Sequence, residues 1–292
     1  MLKEFSLSDK IKLVYGNNSS TLQEFIDNLN QDSELYLSTY SVANDKEDAT
    51  LKKVLDVAKK RKVHLLISKF LFGEKKEKRQ EKIELFAELF LKNRNISVYS
   101  LPRLHSKVYL QKHICYIGSE NFNDWGKNIE VGVIIKNEDN IKKIKSLFFD
   151  SLLKDAVRIE FDKNYMVKSL KVLINDLQEL LGTEYADGSI STPAFYDEDS
   201  FLSIEKCSNR LEILYATAGY FKMDEEDIEE AFSSIDNLLF DFRDPYGPFF
   251  FHRREPHIDH YSDKDDFDAI WVRIDEIKDC VIRFLGKNKI TL

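Results

Sequence analysis

The sequence predicts an α/β domain, a mixed sheet with helices on both faces, followed by a small all-α domain. Three observations carry that expectation. Over residues 1–155, short β-like runs alternate with amphipathic helical stretches. Beyond about residue 155, apolar residues recur only at helical spacing. The charge divides at the same place. Residues 1–155 hold 27 Lys and Arg against 22 Asp and Glu, a net of +5, and the remainder holds 16 against 29, a net of −13.

The elements follow in order. Ile11-Lys12-Leu13-Val14-Tyr15 reads as a strand closed by Gly16-Asn17-Asn18, and Ser19, Ser20 and Thr21 are N-cap candidates for a helix through Phe25, Ile26 and Leu29. A strand at Leu35–Val42, a helix at Ala49–Arg61 and a strand at Val63–Ser68 come next. Residues 74–93 form a charged helix with Ile83, Leu85, Phe86, Leu89 and Phe90 on one face. Strands at Ile96–Leu101, Lys107–Leu110, Ile114–Gly118 and Glu130–Ile135 lead to a helix over Ile141–Leu152. In the second half, Met166 through Leu181 keep helical spacing up to a C-cap candidate at Gly182. Similar faces over Ile204–Leu214, Ile228–Leu239 and Phe267–Leu285 make about four helices, joined by loops at 183–199 and 243–265. The expected domains are therefore 1–155 and 156–292, a fitting division of 292 residues.

Composition narrows the function classes. Hydrophobic residues at 43% and charged residues at 32% are globular values, and no apolar run approaches the ~18 residues of a spanning helix. The start, Met1-Leu2-Lys3-Glu4-Phe5, does not read as a signal peptide. Cys115, Cys207 and Cys280 are widely spaced and form no CxxC pair, which points to a reducing, cytoplasmic setting without a zinc ribbon. His252, His257 and His260 with Asp259 and Asp263 match no metal-ligand signature, so no metal and no cofactor is expected. Phe249-Phe250-Phe251 is read as core rather than as a docking surface, and Trp125 as packing rather than a base-stacking platform.

One segment concentrates chemistry. Leu104-His105-Ser106-Lys107-Val108 puts an imidazole and an ammonium two residues apart, on one face if the segment is a strand. The next strand ends in Gly118-Ser119-Glu120-Asn121, and a third opens with Asn128-Ile129-Glu130. Such groups suit attack on a phosphodiester. An imidazole can serve as nucleophile or acid, and an ammonium and an amide can hold phosphoryl oxygens as charge shifts. A carboxylate can orient the imidazole. Each part alone reads as ordinary polar strand residues; the ordered set is what points to a site.

These three parts resemble the phospholipase D superfamily, over roughly residues 1–155. The family pattern is His-x-Lys, four residues and Asp, then Gly-Ser-x-Asn or Gly-Ser-x-x-Asn, then Asn-x-Glu; here Lys112 occupies the Asp position. The resemblance implies a phospholipase D-like mixed β-sheet sandwiched by helices. It also implies a metal-independent phosphodiesterase with His105, Lys107, Ser119, Asn121 and Glu130 as catalytic residues. Family sites use two such motifs facing each other. His64, His113, His252, His257 and His260 all lack a Lys two residues on, so one motif per chain implies a homodimer, or a larger assembly, with the site across a two-fold axis. One His105 would attack phosphorus while the other protonates the leaving oxygen, Lys107, Ser119 and Asn121 would hold phosphate oxygens, and Glu130 would orient His105.

The mildly basic first half favours a nucleic-acid backbone as substrate, DNA before RNA. Lys52, Lys53, Lys59, Lys60, Arg61 and Lys62, with Arg103 and Lys127, are the candidate contacts; Lys75, Lys76, Lys78, Arg79 and Lys82 are either a solvated helix face or further contacts. The resemblance includes restriction and anti-phage effectors. No membrane anchor is found, and the acidic helical half is expected to engage a protein partner and to compete for the basic surface until displaced. Two other readings remain: a phosphodiesterase or phosphatidyltransferase acting on lipids or small molecules, and a nucleic-acid-binding module without turnover.

Overall fold

A computed structural model describes residues 2–40, 48–68, 71, 76–102, 104–121, 129–184, 190–191, 198–241 and 264–292. The chain divides into two compact units, Met1–Glu160 and Phe161–Leu292.

The first unit is built on nine strands: β1 (Leu2–Ser8), β2 (Ile11–Asn17), β3 (Leu35–Thr39), β4 (Val63–Ile67), β5 (Ile96–Ser100), β6 (Val108–Gln111), β7 (Ile114–Gly118), β8 (Ile129–Ile135) and β9 (Val157–Ile159). Their spatial order is β1-β2-β8-β7-β6-β3-β4-β5-β9. The neighbours β3, β4 and β5 are parallel and every other pair is antiparallel. The parallel strands are joined by helices, as parallel crossovers require: α2 (Ala49–Ala58) between β3 and β4, α3 (Lys76–Phe86) with a π turn at Ala87–Leu91 between β4 and β5. Ahead of them α1 (Gln23–Asp27) follows β2.

Alternation along the strands divides the core. Tyr36, Val108, Leu110 and Cys115 on one face pack against Ile141 and Phe149 of the helical stretch α4 (Glu138–Ile144), π turn (Lys145–Phe149) and α5 (Asp150–Asp155). Tyr109 and Tyr116 point to the other face, where Phe25 of α1 meets Tyr109 at 6.1 Å between ring centroids. Helices thus cover both faces of a mixed sheet. Side-chain caps fix the starts of α2 and α4: Asp48 accepts from the Leu51 amide at 2.8 Å, and Asn137 from the Asp139 and Asn140 amides.

Four details depart from the sequence expectation. The segment 2–8 is a strand, exposed along its length and paired with β2, with Glu4 also bonded to Lys12; nothing in its pattern marks a buried face. A short strand, β9, adds to the β5 edge after residue 155. β3 ends at Thr39, short of the expected Val42, and residues 41–47 lie outside those described. None of the N-cap candidates caps α1, whose N-cap is Leu22 without a side-chain cap hydrogen bond; Ser20 accepts from the Leu22 amide at 3.1 Å and Thr21 is committed to Glu120.

The second unit holds α6 (Lys163–Leu181), α7 (Glu198–Tyr220), α8 (Glu226–Asp241) and α9 (Lys264–Lys287), together with a two-stranded pair, β10 (Thr183–Glu184) and β11 (Ile190–Ser191). Asp162 caps α6 through the Tyr165 amide at 2.9 Å, and Gly182 ends it at φ 83°, a left-handed position that favours glycine. Leu170, Leu173, Leu177, Leu211, Leu238, Val281 and Phe284 are buried at 0% exposure, which puts the predicted helical faces inward. No helix among the described residues is long and apolar enough to cross a membrane. The segment bearing Phe249–Phe251, His252, His257, Asp259, His260 and Asp263 lies outside the described residues, as does Trp125.

Candidate active site

The hairpin β6–β7 and strand β8 place the chemistry-bearing residues at one end of the sheet. Tyr109 and Tyr116 are directly paired across the hairpin, and their rings stack 5.6 Å apart and 9° from parallel. The Tyr116 ring then lies over Gly118 and Gly132, themselves a cross-strand pair. A Cβ at Gly118 would collide with the Tyr116 hydroxyl and the Val131 carbonyl oxygen, and one at Gly132 with the Tyr116 ring. The glycine before Ser119 is therefore demanded by packing.

The strand β6 begins at Val108, so His105 and Lys107 lie in the extended chain just before it and not on the strand as expected. The ladder still reaches them, because the Gly118 amide donates to the Lys107 carbonyl at 3.1 Å. The expected proximity is realised. Lys107 Nζ is 3.2 Å from His105 Nδ1 and 3.5 Å from Nε2, and donates to the His105 carbonyl at 2.8 Å. Lys107 is 5% exposed while His105 is exposed to solvent. Burial presses the Lys107 ammonium below the ordinary lysine range, and the nearby Glu130 carboxylate opposes that shift.

Across the sheet end, Ser119 Oγ donates to Glu130 Oε2. The Ser119 amide bonds to the Val131 carbonyl at 2.9 Å and the Val131 amide to Ser119 Oγ at 3.0 Å. Glu130 is buried at 7% exposure. Its hydrogen bond among the described residues is to Ser119, and none joins it to His105. The two buried ionic groups, Lys107 and Glu130, thus interact electrostatically beneath an exposed imidazole and an exposed hydroxyl. Asn121 stands just beyond, half-buried, with its side-chain Oδ1 position buried and without a hydrogen-bond partner among the described residues. Asn128, Arg103 and Lys127 lie outside them.

Several neighbours carry no sequence signal. The Tyr40 ring lies 5.5 Å from the His105 ring, and Ser38 and Ser106 hydroxyls are 2.6 Å apart. Glu120, Thr21 and Tyr116 form a buried network under the Ser119–Asn121 loop. Only the contact between segments far apart in sequence reveals them.

Lys112, the departure from the family pattern, sits in the turn at the other end of β6, exposed, with its amide 3.4 Å from Ser33 Oγ. Five residues of extended chain, ~16 Å, separate it from Lys107. The neighbouring Gln111, fully buried, ties that turn to the chain at Asn30 and Ser33. The departure is remote from the reacting groups.

The basic residues divide between the two ends of the sheet. Lys107 precedes Val108, the partner of Ser38, whereas Lys62 precedes Val63, the partner of Leu35. Lys52 and Lys53, exposed near the start of α2, follow the end of β3 that Ser38 occupies. Lys59, Lys60, Arg61 and Lys62 lie past the far end of that helix, about 15 Å along its axis. Lys59 pairs with Asp56 at 3.0 Å, and Arg61 Nε donates to the Gln31 carbonyl at 2.9 Å. The run that looks continuous in sequence is two surfaces in the fold. Among the described residues no cluster of His, Cys, Asp and Glu is arranged to hold a metal ion.

Residues 25–152 match the family model described as cardiolipin synthase, PLD-like domain. No curated protein matches the chain. Among solved structures, the chain is similar to Nuc from Salmonella typhimurium, a phospholipase D family member, at 16% identity over 51% of this chain and 97% of that one, with a TM-score of 0.41. NucT from Helicobacter pylori aligns at 16% identity over 54% of this chain and 98% of that one, with a TM-score of 0.38. TrmBL2, an archaeal chromatin protein, aligns at 15% identity and a TM-score of 0.36, over 52% of this chain and about half, 55%, of that one.

Proposed function

Through the domain that residues 25–152 match, the chain belongs to the phospholipase D superfamily, and from that premise we propose that it is a metal-independent endonuclease cleaving DNA, with RNA as second choice, through a phosphohistidine. The observation that carries the reading is the contact of buried Lys107 with the exposed His105 ring, with Ser119 and Glu130 joined at the same sheet end. His105 attacks phosphorus, forming an N–P bond as the P–O bond to the leaving oxygen breaks. Lys107 and Asn121 stabilise the phosphoryl oxygens as their charge grows, and Ser119 joins them when its hydroxyl proton turns from Glu130 to the phosphate. Glu130 acts by holding the Ser119 hydroxyl and by its field at Lys107. The leaving oxygen takes a proton from His105 of a second copy, which then deprotonates the water that hydrolyses the phosphohistidine.

A homodimer is part of the reading, because one chain supplies one such histidine. Ile117, Ile129 and Val131, on β7 and β8 beside Ser119 and Glu130, are 37%, 68% and 48% exposed, and such apolar exposure supports an association surface there. Lys52 and Lys53 at the site end are the backbone contacts this reading favours. Lys59–Lys62, Arg103 and Lys127 remain proposed as further contacts. The domains are proposed to be a catalytic unit and an acidic accessory unit that recruits a protein partner. Backbone cleavage without a metal suits the effector of a restriction or anti-phage system.

The test is hydrolysis of DNA, RNA and phospholipid vesicles in EDTA, with sedimentation to fix the assembly. DNA cleavage that survives chelation and falls by about 10³-fold or more in His105→Ala is the expected result. Strict dependence on Mg²⁺, full activity in a monomer, or turnover confined to phospholipid would overturn it.

A further inference from the structure

Glu120 stands between the two proposed phosphate-holding residues, an exposed Ser119 and a half-buried Asn121. It is 1% exposed. Its Oε2 accepts from the Thr21 amide at 2.6 Å, the Thr21 hydroxyl at 2.7 Å and the Leu22 amide at 3.2 Å. Its carbonyl accepts from the Tyr109 hydroxyl at 3.0 Å. The Thr21 and Tyr116 hydroxyls lie 2.8 Å apart, which joins the same network to the ring that Gly118 and Gly132 accommodate.

Burying a carboxylate costs several kcal/mol unless its oxygens are well bonded. Among the described residues Glu120 has no ion-pair partner, so hydrogen-bond donors from a segment nearly 100 residues away do the compensating. An apolar side chain would fill such a position without that demand. What the carboxylate adds is direction. Three donors on one oxygen fix its position, and with it the path of the chain between Ser119 and Asn121. A reacting group displaced by about 1 Å can cost on the order of 10²-fold in rate.

We propose that Glu120 is a positioning residue, clamping the loop after β7 to the β2–α1 connection so that Ser119 and Asn121 are held toward the phosphoryl group. The proposal rests on the phosphodiesterase reading and deepens it. The side-chain oxygen works as an acceptor of hydrogen bonds, and its clamp is completed by Thr21.

The experiment follows hydrolysis of bis(p-nitrophenyl) phosphate by the full chain, with thermal melts of each variant. Glu120→Ala should lower kcat by about 30- to 100-fold with KM changed less than about threefold. Glu120→Gln, which keeps an acceptor oxygen, should restore kcat to within about threefold of native. Thr21→Val, which loses one donor and the Tyr116 link but keeps both amides, should fall between. If His105→Ala is inactive while Glu120→Ala retains native kcat, the positioning role is overturned and the phosphodiesterase reading stands. If native protein and His105→Ala are equally inactive or equally active, that reading falls and takes the proposal with it. Glu120→Gln as damaging as Glu120→Ala would overturn the acceptor role. Should Glu120→Ala not fold, Thr21→Val decides, and a native kcat there overturns the clamp.

Discussion

Lys107 in the first unit and Asp227 in the second are both buried charges, at 5% and 4% exposure, and the fold treats them in opposite ways. Asp227 is neutralised on the spot. Lys287 Nζ lies 2.8 Å from its Oδ2 and Arg283 Nε 2.9 Å from its Oδ1. Burial pushes its carboxyl up, and the two cations more than reverse this, holding it below the usual aspartate range. Lys107 has no carboxylate at ion-pair distance among the described residues; its hydrogen bonds run to the His105 carbonyl and ring. A buried charge that is fully paired serves stability, whereas one left with its donors turned toward an exposed imidazole is poised to hold an anion. The difference supports the proposed site without reference to any motif.

The sharpest way to break this comparison is to remove each charge while keeping its shape. Lys107→Met should lower phosphodiester hydrolysis by about 10²- to 10³-fold and leave the melting temperature unchanged or raised, because the cost of burying an unpaired ammonium goes with it. A destabilised but active Lys107→Met would reverse the assignment. Asp227→Asn should do the opposite: native hydrolysis, with stability lower by roughly 1–2 kcal/mol in a urea titration.

Smaller effects come from pH. Because burial lowers the Lys107 ammonium, raising the pH through that depressed value removes the cation, so the basic limb of the rate profile should fall below the ordinary lysine range near about 10.4. In Lys107→Arg the limb should move to higher pH; an unmoved limb would assign it elsewhere. Asp227 has a folded value below its unfolded one. Its contribution is fully present above the unfolded value, near about 3.9, and is lost as pH falls through the lower folded value. The stability gap between native protein and Asp227→Asn should therefore be constant at neutral pH and close on strong acidification. A gap that persists would mean that the pair is not what stabilises α8 against α9.

Legibility followed the range of the interactions. The parallel strands β3 and β4 announce themselves by short apolar runs between amphipathic stretches, since both their faces are largely buried, and β5 by alternation of buried and half-buried residues. The helices of the second unit were legible from spacing and from caps such as Asp162 and Gly182. β1 was not, because an exposed strand is held by backbone pairing to Ile11–Asn17 and needs no apolar alternation. At the site, His105, Lys107, Ser119 and Glu130 could be named from local motifs, but the partner of Glu130 could not: it is Ser119, eleven residues before it, across a strand pair. Glu120 looked like the variable position of a motif, and its meaning lies in Thr21.

By itself, then, the sequence determined an α/β unit followed by a helical one, the charge division between +5 and −13, and the residue types able to attack a phosphodiester, because periodicity, composition and short motifs are local quantities. Only the tertiary structure decided that the Lys52–Lys62 run is split between opposite ends of the sheet, and that Lys112 sits a strand's length from Lys107. It also decided that Glu120 is buried and bonded to Thr21, between an exposed Ser119 and a half-buried Asn121. Those outcomes depend on strand order and register, which bring residues 21 and 120 into one hydrogen-bond network while carrying residues 107 and 112 apart.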